Sequence, residues 1–269
     1  MDLSLLVDSA ELRFKQLLED FFITCYEPKY LPSHGIEHHR RVWGYSTELL
    51  FLVKSKSPEL PSRLIIASYM HDIGMSVEIG IRHGKHSRNL CTEFLKINRL
   101  SLADYKDVLD VIENHDNKDY SENHDANDLL KILSVADDLD AFGFTGIYRY
   151  SEIYLTRSVN KLEFGHLIIN NAGKRFDNFN NIFGSFEDLI SREIKRYDIL
   201  FKFFDAYNRQ VKDYHFGNEK PKGYCGVIEV VTDIMKNKIA LKDIISDPEI
   251  YSDDPVIKWF FQGLSKELS

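Results

Sequence analysis

The sequence predicts an all-α protein, a helical bundle with an additional helical C-terminal extension. Apolar residues recur at steps of three and four along most of the chain, and long alternating strand patterns are absent. Breakers divide the chain into helix-sized pieces. Pro28 and Pro32 precede one, Pro58 and Pro61 another, Gly80 and Gly84 a third, and a polar stretch from Asn114 to Asp128 separates two more. No repeat, low-complexity tract or long Pro/Gly/Ser linker marks a boundary. The 269 residues are expected to form a core over 1–165 and an extension over 166–269 packed on it.

Each element is defined by the face it buries. Between Gly35 and Lys54, the positions His38, Val42, Tyr45, Leu49 and Leu52 trace one stripe, so His38 points inward. The apolar segment from Ser62 to Ile73 ends in His71 and Asp72, just before Gly74 as a helix stop. A third helix opens near His86 and runs through Leu90, Phe94 and Ile97, with His86 at the head of its apolar face. The fourth carries Val108, Val111 and Ile112 before reaching His115. In the fifth, Leu130, Leu133, Asp137 and Ala141 share a stripe, and an acid stands where leucine is expected. From Phe176 onward, Ile182, Phe183, Phe186, Ile190, Ile194, Tyr197 and Phe201 read as one long amphipathic helix that covers the core or joins a second copy of the chain. Phe203, Phe204 and Tyr207 read first as core packing and second as a pocket wall, and residues 221–239 as one more helix that caps the site or stabilises the fold.

Composition excludes several classes of function. Hydrophobic residues at 43% and charged residues at 28% describe a folded globule rather than a disordered chain. A formal net charge of -8 opposes broad binding to nucleic acid or anionic membranes. Asp2, Asp8, Glu11 and Arg13 interrupt the apolar run a signal peptide needs, and nothing later approaches a membrane span, so a cytoplasmic protein is expected. Cys25, Cys91 and Cys225 are scattered and lack CxxC spacing, which reads as small apolar residues rather than disulfides or a thiolate site. The segment from Arg82 to Arg88 reads either as a solvated loop or as a basic spot able to receive a small anion.

Five separate helices thus deliver His or Asp to apolar faces. Buried carboxylates and imidazoles are expensive without partners, and a cation compensates them together. Histidine mixed with carboxylate suits Zn, Mn, Fe, Co or Ni better than Ca.

The segment from Ser33 to Val42, with His38, Arg41 and Val42 in an HxxRV pattern, resembles the opening helix of the HD-domain phosphohydrolase superfamily. The run His71-Asp72-Ile73-Gly74 resembles the dyad that names that superfamily, and the stretch from Leu133 to Ala141 resembles its closing acidic helix. The resemblance implies an HD-like helical bundle over roughly residues 30–160, with His38, His71, Asp72 and Asp137 as ligands of one divalent ion. It implies His86 and His115 as ligands of a second ion. Gly74-Met75 after the dyad, and the lack of a GYP-like motif, set the chain apart from the HD-GYP cyclic-dinucleotide phosphodiesterases. Small bacterial HD hydrolases, acting on nucleotides or other phosphate esters by attack of a metal-activated water, are the nearer likeness.

Under that resemblance His86, His115 and Asp72 are candidate catalytic residues, and Arg41, Lys85 and Asp140 candidate substrate contacts. Arg41, one turn past His38, fits a phosphate or a salt bridge to Asp72 equally well. Asp138 is expected to face solvent, Glu78 to be solvated or to act as a base through water, and His34 to cap a helix start. His39, His83, His124, His166 and His215 are read as surface or core residues. The competing readings are a nucleotide-binding regulatory module with little turnover and a purely structural metal site.

Overall fold

Asp2 accepts a hydrogen bond from the Ser4 amide at 3.1 Å and caps the first helix, α1 (Leu3–Cys25). Its residues Val7, Ala10, Phe14, Leu18 and Phe22 are buried at helical spacing and form its inner face. The computed structural model describes residues 2–26, 31–53, 57–80, 82–116, 128–218, 220–246 and 253–269. Among them the chain forms twelve α-helices, three short 3-10 helices and no strand. No described helix is long and apolar enough to cross a membrane.

The chain divides into two compact units, Met1–Tyr30 with His34–Leu139, and Leu31–Ser33 with Asp140–Ser269. In the first unit α1 is followed by α2 (Ile36–Val53) and α3 (Leu60–Met70). Every side chain of α3 from Leu64 to Met70 is buried, so this helix is the unit's axis, and α1, α2 and α5 (Lys106–Asn114) pack on it. Glu19 pins three helices at one point. Its carboxylate accepts from Arg40 Nε at 2.9 Å and Nη2 at 2.6 Å on α2, and from the Tyr69 hydroxyl at 3.0 Å on α3. On α2 the expected stripe is borne out at His38, Val42 and Leu49, whereas Tyr45 and Leu52 are half-buried and Lys54 lies outside the described residues.

Helix α4 (His83–Ile97) opens three positions before the expected start near His86, and Ile97, expected on the apolar face, is exposed. A helix α6 (Asp128–Asp140) then carries Leu129, Ile132, Leu133 and Ala136 into the core.

The second unit begins with α7 (Gly143–Thr156), followed by α8 (Lys161–Phe183) and α9 (Glu187–Gln210). The single long helix expected from Phe176 is in fact two. Gly184 closes α8 with its amide on the Asn180 carbonyl at 2.8 Å, and Glu187 and Asp188 favour the start of α9 by complementing its dipole. The two helices form a hairpin zipped by Phe176 stacked on Tyr197 at 4.6 Å. Ile194 and Phe201, expected on the inner stripe, are exposed, while Leu189, Leu200, Phe203, Phe204 and Tyr207 are buried. The helix expected over 221–239 is α10 (Gly223–Lys236), and α11 (Leu241–Ser246) and α12 (Pro255–Leu268) complete this core. The boundary expected at 165/166 falls inside α8, whereas the compact units divide at 139/140.

Candidate metal centre

The centre is built where α3 ends. A helix leaves its last carbonyls without helical partners, and the Ser68 carbonyl accepts Nδ1–H of His71 at 2.9 Å. Because a carbonyl only accepts, Nδ1 carries the hydrogen and Nε2 is left as a lone pair. Two other histidines repeat this arrangement three residues from their acceptors. His83 donates Nδ1–H to the Gly80 carbonyl at 2.7 Å, and His115 to the Ile112 carbonyl at 2.7 Å. All three imidazoles are buried with Nε2 turned to one place.

That place is occupied by Asp72. Its Oδ1 lies 3.0 Å from His115 Nε2 and 3.2 Å from His83 Nε2. Its Oδ2 lies 3.5 Å from His38 Nε2 and 3.6 Å from His71 Nε2, and Asp137 Oδ1 lies 3.9 Å from each of those nitrogens. Two donor groups result, His38, His71, Asp72 and Asp137 in one and Asp72, His83 and His115 in the other, with donor atoms in each group within 4.8 Å of one another. Asp72 belongs to both.

The donors fit divalent transition metals. His38 and His71 bring their Nε2 atoms to 3.2 Å, and His83 and His115 to 3.3 Å. Two nitrogens bonded to one ion at about 2.1 Å, roughly 100° apart, stand about 3.2 Å from each other. Burial pushes His71 down to about 3, so its imidazole is neutral and its lone pair available. Burial opposes ionisation of Asp72, but the surrounding imidazoles of His71, His115, His38 and His83 outweigh it and hold the carboxyl well below its usual range. Burial also opposes protonation of His83, yet the adjacent Asp72 and then Asp116 raise it to about 9. Asp72 thus favours positive charge at His83 Nε2, which a proton or a bound cation would supply.

Sequence reasoning placed His86 rather than His83 beside His115. His86 lies one turn further along α4, part-buried, with Nε2 3.4 Å from Glu78 Oε2. The reason is where α4 starts. The His83 amide bonds to the Gly80 carbonyl at 3.1 Å, and two glycines let the start of α4 nest tightly. A Cβ on Gly74 would stand 2.2 Å from the His83 carbonyl oxygen, and one on Gly84 2.5 Å from the Glu113 carbonyl oxygen. Gly84, a glycine in a helical segment directly after a histidine, was the available signal of close approach.

Other expectations are redistributed. Arg41 is half-buried and Lys85 exposed. Asp138, expected in solvent, is fully buried, because α6 is enclosed on that side as well. Asp140 is fully buried with Oδ2 3.0 Å from Arg149 Nη1, so it holds a guanidinium rather than meeting a ligand from solvent. The basic segment is partly neutralised, since Arg82 pairs with Glu78 at 2.9 Å and Arg88 with Asp110 at 2.6 Å and Glu113 at 2.9 Å. His34 is buried with its ring 5.4 Å from that of His38, and His39 is buried too. His166 and His215 are exposed, and His124, with residues 117–127 of the polar stretch, lies outside the described residues.

Residues 35–141 match the family model described as HD domain, a stretch that contains all six donors. No curated protein matches the chain, and no solved structure does.

Proposed function

We propose that this chain is a metal-dependent phosphohydrolase cleaving a phosphate ester or anhydride, with a nucleotide as the substrate class, a reading supported by the match of residues 35–141 to the HD-domain family model. The observation that carries this reading is the position of Asp72, with Oδ1 toward His83 and His115 and Oδ2 toward His38 and His71. A carboxylate presented to two donor groups is suited to holding two ions side by side. Nitrogen-rich donors favour Mn, Fe, Co, Ni or Zn over Ca or Mg.

His38, His71, Asp72 and Asp137 would hold the first ion, and Asp72, His83 and His115 the second. Divalent ions supply a water of lowered pKa and positive charge against the phosphoryl oxygens. The second group offers three protein donors, which leaves positions for water and substrate as a catalytic site requires. The chain's own residues do the rest. Backbone carbonyls at Ser68, Gly80 and Ile112 fix the orientation of three imidazoles. His86, oriented by Glu78, is assigned to proton transfer at the leaving oxygen. Arg41 and Lys85 are assigned to the phosphate.

Metal analysis of the purified protein, together with release of phosphate or pyrophosphate from a nucleotide panel, tests the reading. Expected are one to two transition-metal ions per chain and turnover of at least one nucleotide. Metal retained without turnover of any phosphate compound would favour a binding module, and full metal content and turnover in Asp72→Ala would overturn the assignment.

A further inference from the structure

His39 is fully buried, next in sequence to His38, and its Nε2 has no hydrogen-bond partner among the described residues. Leucine or phenylalanine would fill a position packed 4.7 Å from the Phe22 ring without leaving a polar atom unsatisfied. Stability alone therefore does not account for a histidine here.

Its other nitrogen does. Nδ1 stands 3.2 Å from the Ser68 carbonyl oxygen, the same oxygen that accepts Nδ1–H of His71 at 2.9 Å. Since the carbonyl only accepts, both imidazoles donate to it and its two lone pairs are filled. The Ser68 side chain is engaged as well, with Oγ 3.1 Å from Ser46 Oγ, and Ser46 lies two turns past His39 on α2. Ser68 is thus tied to α2 twice, once through its backbone and once through its hydroxyl. The His39 ring also packs 5.1 Å from that of His38 and 5.2 Å from that of His71. These contacts fix α2 against the end of α3 at the level where His38 and His71 bring their Nε2 atoms to 3.2 Å.

We propose that His39 is a positioning residue for the first metal group, setting the separation of His38 and His71 through the Ser68 carbonyl that it shares with His71. The inference rests on the metal reading of those two histidines. It assigns His39 no contact with an ion or a substrate.

The test compares Co(II) titrations, followed by visible absorption, of the wild type, His39→Phe and His39→Asn. Phenylalanine keeps a ring and removes the donor, whereas the asparagine amide can place an N–H where Nδ1 stands. Expected are a roughly 10- to 100-fold weaker first-site affinity and an altered cobalt spectrum in His39→Phe, with thermal stability unchanged or raised, and recovery of most of the affinity in His39→Asn. Nitrogen-15 spectra of the metal-free wild type provide a second readout, in which His39 and His71 are both expected as Nδ1–H tautomers. Equal affinity in the wild type and His39→Phe overturns the role of His39 and leaves the metal reading standing. Affinity kept in His39→Phe but lost in His39→Asn means that ring packing acts rather than the shared carbonyl, and loss in both, with no rescue by the amide donor, likewise overturns it. A wild type that takes up no cobalt overturns the metal reading and this inference with it. Should His39→Phe fail to fold, an Nε2–H tautomer for His39 in the wild type is the overturning result.

Discussion

Asp72 and His115, forty-three positions apart in sequence, meet at 3.0 Å through Oδ1 and Nε2 in the buried interior of one helical unit. The other oxygen of the same carboxylate faces His38 and His71, so the loss of this one side chain is felt on both sides. Asp72→Ala is expected to lose both ions by elemental analysis and to lower phosphate release about a thousandfold or more, since metal catalysis supplies several kcal/mol.

The proposed function gives His83 and His86 separate roles on α4. His83→Ala is expected to keep the ion at His38 and His71 while losing the second, which metal stoichiometry reads directly. His86→Ala is expected to retain the metal content of the wild type and to lose about a hundredfold in kcat as a proton-transfer group. If the two variants exchange these outcomes, the assignment of His83 to the second group is wrong.

Gly74→Ala tests the seating of α4. The new methyl would fall 2.2 Å from the His83 carbonyl oxygen and 2.4 Å from the Ser87 amide nitrogen, both backbone atoms. Overpacking of this kind costs about 1–3 kcal/mol. A lower melting temperature is expected, with weakened second-ion affinity because His83 moves with the helix start.

Glu152 predicts a pH dependence of folding in the second unit. Burial pushes its carboxyl up to about 8 from 4.5, against the opposing hydrogen bonds from Ser33 and the charge of Arg149. Below pH 4.5 the group is protonated whether the chain is folded or not, and its stability contribution is fully present. As pH rises toward 8 the unfolded chain ionises while the folded carboxyl keeps its proton, so stability falls by up to about 1.4 kcal/mol per pH unit. In denaturant unfolding at a series of pH values, Glu152→Gln is expected to be increasingly stabilised relative to the wild type across this window. A difference that does not grow with pH would show that the carboxyl ionises normally in the fold.

The helical class was legible because the apolar period runs through nearly every segment, and five of the six residues in the two clusters were singled out in the sequence by polar positions on apolar helices and by the resemblance to HD domains. Asp137 stands where a leucine would satisfy the pattern, His38 lies on a buried stripe, and His71, Asp72 and His115 close apolar helices. His83 was hidden. Its place depends on the approach of α4 to Gly74 and to the end of α5, a tertiary contact that no local period encodes. The turn between α8 and α9 was missed for a related reason, since apolar spacing continues across Gly184 and Phe183 still meets Phe186, their rings 6.0 Å apart. Burial of Asp138 and Asp140 was equally invisible, because a helix enclosed on several sides cannot be told from an amphipathic one by its acids.

Leu31–Ser33 belong with Asp140–Ser269 although the chain on either side of them belongs with the first unit. Leu31 is buried there, and the Ser33 amide donates to Glu152 Oε2 at 3.1 Å. A single cleavage between residues 139 and 140 therefore does not yield two self-sufficient halves. The N-terminal piece would keep three residues whose burial partners it has lost, and the C-terminal piece would open a gap around the Glu152 carboxyl group. Anyone dissecting this protein by truncation has to return a short peptide carrying Leu31–Ser33 to the C-terminal piece before judging whether it folds.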